Sequence, residues 1–176
     1  MRALDQSPRS AERGDIYTAA MQESLVRVLR ARRPEIRARW EALLRIERVN
    51  TPLANPDALV FMLDWTLDEV FTMLANPHAR RRLTRGTDPT SAKPHCPCGR
   101  NPLLIYFAAG EQALDEALVL AQAEMPTLDP VERDNAFAGL TVAVREISRR
   151  EIESFCAVCQ HRQAAPGTSI ADHNHI

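Results

Sequence analysis

Four cysteines fall into two close pairs, Cys96-Pro97-Cys98 and Cys156-Ala157-Val158-Cys159. Thiols at such spacings hold soft metal ions or interconvert between dithiol and disulfide. A C-x-C turn and a C-x-x-C at a helix end together supply four thiolates, a set that suits tetrahedral Zn²⁺ with Zn–S distances of about 2.3 Å. The expected metal ligands are therefore Cys96, Cys98, Cys156 and Cys159, with His95 and His161 placed to replace one sulfur in a Cys₃His set. Pro97 and Gly99 flank Cys98 in a tight turn whose backbone N–H groups are expected to point at sulfur, and Arg100 adds positive charge.

Two other chemistries use the same sulfurs. An iron–sulfur cluster is the poorer match, because the usual cluster-binding runs have longer and more numerous spacings than C-x-C plus one C-x-x-C. The alternative function is a thiol redox enzyme or sensor that uses Cys156 and Cys159 as a dithiol. Against it, both residues lie at the C-terminal end of a long helix, where the macrodipole disfavours a thiolate, and no βαβ pattern surrounds them. The haem-attachment run C-x-x-C-H is not met, since Gln160 precedes His161. A site saturated by four protein sulfurs leaves no open position for substrate or water. Structural or sensory metal is thus favoured over catalytic metal.

The elements that must bring the pairs together are legible from start signals. Asn101-Pro102 reads as an N-cap and a first-turn proline, opening a helix that runs to about Glu124. After the turn Met125-Pro126-Thr127-Leu128, Asp129-Pro130-Val131-Glu132 reads as an N-cap, a first-turn proline and a capping-box glutamate. Helices joined by so short a loop are normally antiparallel neighbours. With the turn centred on residue 127, position i lies level with 254 − i, so Cys96 and Cys98 project onto 158 and 156. The four thiols then meet at the open end of a hairpin, roughly 40 Å from its turn at about 1.5 Å per residue.

Leu103, Leu104, Phe107, Leu114, Leu118 and Ala121 are expected to face Phe137, Leu140, Val144, Ile147 and Phe155, with Gly110 and Gly139 allowing close helix approach. Upstream, an expected helix over 16–32 is followed by one after Pro34 carrying Ile36, Trp40, Leu43, Leu44 and Val49. Asn55-Pro56-Asp57 then opens a strongly apolar helix that ends near Leu74, with the stripe Leu59, Val60, Leu63, Leu67, Val70, Phe71 and Leu74. Asp64 and Asp68 lie off this stripe. With no Glu-x-x-His partner they read as solvated charges, not as di-iron ligands. Glu111 reads in the same way as a helix-edge carboxylate.

The stretch from Asn76 to Arg100 breaks the regularity and holds His78, Arg80, Arg81, Arg82 and Arg85. No aromatic residue interleaves with these arginines, so a solvated helix extension is preferred to an anion or nucleic-acid contact. The whole chain has 176 residues and a formal net charge of −1, which gives no global attraction to nucleic acid or anionic membrane. The longest apolar run, Leu103 to Ala109, is too short to span a bilayer, and Met1 to Ser7 lacks the apolar core of a secretory signal. A cytoplasmic location is expected, where clustered cysteines are metal ligands or redox groups more often than structural disulfides.

With six glycines and abundant Ala, Leu, Arg and Glu, the expected fold is an all-α bundle of about five helices. Its last two helices form an antiparallel hairpin, preceded by the long Cys-containing loop. Residues 1–14 are expected to be a disordered arm, 15–161 one helical domain, and 162–176 a flexible tail whose His173 and His175 are at most auxiliary ligands. The expected function is non-enzymatic: a cytoplasmic zinc-binding helical protein that acts as a regulatory or sensory module through a protein partner.

Overall fold

The computed structural model describes residues 23–46, 56–76, 95, 96 and 99–158. They form helices with no strand among them. A helical stretch over 23–31 leads into α1 (Arg33–Ile46), followed by α2 (Pro56–Val60), α3 (Leu63–Ala75), α4 (Pro102–Ala123) and α5 (Pro130–Val158). The expected arm, tail, Val49, the arginines of residues 80–85, His78, His173 and His175 lie outside the described residues. None of the described helices is long and apolar enough to cross a membrane.

Local chemistry sets the helix ends. Asn101 caps α4 by accepting the Leu103 N–H at 2.9 Å, and Pro102 occupies the first turn, where its missing N–H is not needed. At the start of α5 the Asp129 side chain accepts from the Glu132 N–H at 2.9 Å, while Glu132 accepts from the Asp129 N–H at 3.4 Å. This reciprocal capping box satisfies donors that the helix itself leaves unpaired. Pro34 follows a turn at residue 32, so the chain bends there and restarts as α1.

The long apolar helix expected after Asn55 is two helices. At residues 61 and 62 the Met62 N–H bonds the Leu59 carbonyl at 3.0 Å, a tighter turn than the α-helical one. The turn keeps Leu59 and Leu63 buried and leaves Phe61 87% exposed. The apolar stripe therefore continues across a break in the backbone.

One core joins all the longer elements. Leu25, Val26 and Leu29, with Ile36, Trp40 and Leu44 of α1, meet Leu63, Leu67, Val70 and Phe71 of α3 and the apolar faces of α4 and α5. At its centre the Trp40 ring lies 4.8 Å from that of Tyr106, which in turn sits edge-on to Phe107 at 5.0 Å. Such aromatic contacts contribute beyond the area they bury. The polar atoms of this aromatic centre have partners. Trp40 Nε1 donates to the Tyr106 carbonyl at 2.9 Å, and the Tyr106 hydroxyl and Thr66 Oγ1 share a hydrogen bond of 2.8 Å. Burial holds the Tyr106 phenol well above its ordinary range, so it stays protonated.

Gly110 of α4 is where α1 comes closest. A Cβ built there would lie 2.2–2.6 Å from three atoms of the Trp40 ring. The close approach made possible by this glycine is thus between α1 and α4, not across the pair α4–α5. Between α4 and α5, Gln122 Nε2 donates to the Arg133 carbonyl at 3.2 Å beside the connecting turn, and Asn101 Nδ2 donates to the Ile152 carbonyl at 3.4 Å at the other end.

Ion pairs lie around this core. Arg33 bonds Asp64 and Asp68, and Arg37 bonds Asp64, so these two carboxylates are exposed partners of α1 arginines. Arg39 makes a two-pronged contact to Glu116 at 2.7 and 2.9 Å. Hydrogen bonds from Arg39, then from Gln112, hold the Glu116 carboxyl down at about 2 against an ordinary 4.5. A carboxyl lowered by folding stabilises the fold above its unfolded value, and this stabilisation fades as pH falls from about 4.5 to about 2. Both side chains are over 40% exposed, so solvent screening keeps the contribution small. Glu116→Gln should accordingly flatten the acid limb of a stability–pH curve in that window. Parallel acid limbs for parent and variant would show that the pair contributes nothing.

Candidate thiol site

The first half of the site is a turn. The Gly99 N–H bonds the Cys96 carbonyl at 2.9 Å, and Gly99 has φ +63°, a left-handed conformation that a residue with a Cβ adopts only under strain. This turn brings the chain to Asn101 and the start of α4. The Gly99 N–H thus goes to a carbonyl, and the expected contact of this turn with the Cys98 sulfur falls outside the described residues.

The second half is the last turn of α5. Cys156 Sγ lies 2.9 Å from Cys96 Sγ, although the residues are 60 apart in sequence. The separation exceeds the S–S bond of about 2.05 Å and is shorter than ordinary sulfur–sulfur packing. Cys96 is 8% exposed and belongs to the core, while Cys156 is half-buried and packs against it with Phe155. One cysteine of each sequence pair therefore meets one of the other. Cys98, Cys159, Pro97 and His161 lie outside the described residues; His95 and Arg100 are exposed. Among the described residues no group of three His, Cys, Asp or Glu converges as an ion site would require.

The register differs slightly from the mirror arithmetic, which set Cys98, not Cys96, level with residue 156. That arithmetic assigns a helical rise to every residue. Gly99, at φ +63°, is not helical, so that assumption fails before Asn101.

Asn101 is the residue whose second role the sequence did not disclose. It is 3% exposed, and its Nδ2 donates both to the Ile152 carbonyl and to Cys156 Sγ at 3.5 Å, while Oδ1 caps α4. The positive end of α4 is therefore beside the Cys156 sulfur and opposes the dipole of α5, the one weighed from the sequence. The available signal was positional: in the mirror arithmetic residue 101 is level with residue 153, one turn from Cys156.

The carboxylates elsewhere do not join this site. Glu111 is partly exposed and faces Arg145 at 3.6 Å. The neighbouring Asp115 carboxyl is raised above its ordinary value by burial first and by Glu111 second. A groove of about 140 Å³ is lined by Leu104, Phe107, Glu111, Val144, Arg145 and Ser148; in it the Ser148 hydroxyl donates to the Arg145 carbonyl at 2.9 Å and Glu111 faces the Arg145 guanidinium.

No protein-family model, curated protein or solved structure matches this chain.

Proposed function

We propose that the α4–α5 pair is an antiparallel hairpin whose open end is clasped to the Cys-containing loop by one ion, most plainly zinc, held by Cys96, Cys98, Cys156 and Cys159. The observation that supports this is the contact of Cys96 with Cys156, which joins the two sequence pairs at one place. In a tetrahedral site with Zn–S of about 2.3 Å the sulfurs stand about 3.8 Å apart, so taking an ion opens the observed contact by about 0.9 Å. Asn101 supplies the hydrogen bond to sulfur that commonly accompanies thiolate ligands. Four protein ligands leave no reaction site on the ion, and the reading is therefore a non-enzymatic, cytoplasmic regulatory or sensory module acting through a protein partner.

Metal analysis of the full chain purified without added zinc tests the reading, with about one zinc per chain expected. Cys96→Ser should lower both metal content and melting temperature. Its stability loss is expected to be a few kcal/mol, below the roughly 10 kcal/mol typical of domains that fold only with zinc, because this bundle has its own core. Metal-free protein, or a Cys96→Ser variant with parental metal content, would defeat the zinc reading.

A further inference from the structure

We infer that Cys96 and Cys156 form a peroxide-oxidisable pair that closes to a disulfide, tying the turn before α4 to the last turn of α5. The inference stands on the contact itself; only its corollary, that oxidation expels the ion, rests on the zinc reading above. This pairing differs from a C-x-x-C dithiol, in which Cys156 would close onto Cys159 within its own segment.

Three observations support it. The sulfurs are already 2.9 Å apart, so bond formation at about 2.05 Å requires them to approach by less than about 1 Å. Their exposures differ: Cys156 is half-buried and Cys96 is 8% exposed, so a small hydroperoxide reaches Cys156 first. Finally, Asn101 bonds both the Cys156 sulfur and the Ile152 carbonyl one turn earlier, which fixes the end of α5 against the turn that carries Cys96.

The chemistry has two steps. The Cys156 sulfur attacks one peroxide oxygen, the O–O bond breaks, and Cys156 becomes a sulfenic acid while the other oxygen leaves with the thiol proton as water. The Cys96 sulfur then attacks the Cys156 sulfur. An S–S bond forms, the S–O bond breaks, and hydroxide departs with the Cys96 proton as a second water. Two thiols are oxidised by two electrons, and one hydrogen peroxide is reduced to two waters. A thiol reductant reverses the closure by exchange. With Cys96 and Cys156 joined, Cys98 and Cys159 alone are too few to retain a tetrahedral ion.

The test treats the full, reduced chain with hydrogen peroxide after its metal content has been measured. Tandem mass spectrometry with fragmentation between Cys96 and Cys98, and between Cys156 and Cys159, then assigns the first disulfide. A Cys96–Cys156 link within a monomer is expected, with loss of the mass of two hydrogen atoms and of two titratable thiols. The Cys98→Ser/Cys159→Ser variant should form the same link. A first disulfide joining Cys156 to Cys159 or to Cys98, or links only between chains, would overturn the inference. Should the double variant lose its helical signal, the wild-type assignment still decides. Metal-free protein that forms the Cys96–Cys156 link defeats the zinc reading and leaves this inference standing; zinc-loaded protein that forms another link does the reverse.

Discussion

Replacing Gly110 by alanine is expected to destabilise the fold by at least about 2 kcal/mol, although alanine is the better helix former by about 1 kcal/mol. The added Cβ would lie 2.2, 2.5 and 2.6 Å from three atoms of the Trp40 ring. Those distances are far inside van der Waals contact. The ring has little room to yield, since Trp40 is fully buried, donates to the Tyr106 carbonyl and packs on the Tyr106 ring. Overpacking of a filled core commonly costs about 1–3 kcal/mol and occasionally more, and here the obstruction is an inflexible ring on a neighbouring helix. Chemical denaturation of four proteins checks the account: parent, Gly110→Ala, Trp40→Phe and the double variant. Trp40→Phe removes ring volume and the indole donor and should itself be costly. In its presence, however, Gly110→Ala should cost less, with a coupling in the range of about 0.5–3 kcal/mol. A Gly110→Ala protein as stable as its parent would mean that α1 and α4 do not meet in this way.

Asn101 gives the second large effect, and a pair of substitutions separates its two functions. Asn101→Ala removes the cap of α4, worth about 1 kcal/mol, and the donor to the Ile152 carbonyl and the Cys156 sulfur, worth a similar amount, for a total of about 2 kcal/mol. Asn101→Asp preserves the cap, because aspartate and asparagine are equivalent there. It nevertheless replaces the Nδ2 donor with a carboxylate oxygen, which would face a carbonyl oxygen and a sulfur in a position only 3% exposed. The aspartate variant should therefore be at least as destabilised as the alanine variant in reduced protein. Parental stability for Asn101→Asp would show that the donor contributes nothing, with the cap as the sole role of the residue.

What the sequence disclosed and what it hid divide along the range of the interactions. Asn101-Pro102 and Asp129-Pro130 with Glu132 located the starts of α4 and α5 because a cap is decided within four residues. Ile36, Trp40 and Leu44 were legible as a buried face because helical spacing alone sets which residues share a side. The break at Phe61 and Met62 was hidden by the stripe that crosses it, since Leu59 and Leu63 are buried in either geometry. The partnership of Gly110 with Trp40 spans 70 positions, and no periodicity within α4 states which neighbour fills the space left by a missing side chain. The thiol site was half legible. Spacing named Cys96, Cys98, Cys156 and Cys159 alike, but the meeting of Cys96 with Cys156 was not what the helical register stated, and the donor to sulfur was concealed behind the capping role of Asn101.

The two tryptophans of the chain occupy opposite surroundings, and this makes the protein its own optical instrument. Trp40 is wholly enclosed and hydrogen-bonded at the centre of the core, whereas Trp65 is 43% exposed, with the Arg150 guanidinium 6.0 Å above its ring. The first indole emits from an apolar cage and is shielded from dissolved quenchers. The second emits from a wet, cation-capped surface where α3 meets α5, open to collision. Core loosening between α1 and α4 and rearrangement along α5 thus produce separable fluorescence signals, one in the blue, protected component and one in the red, quenchable component, without any attached label.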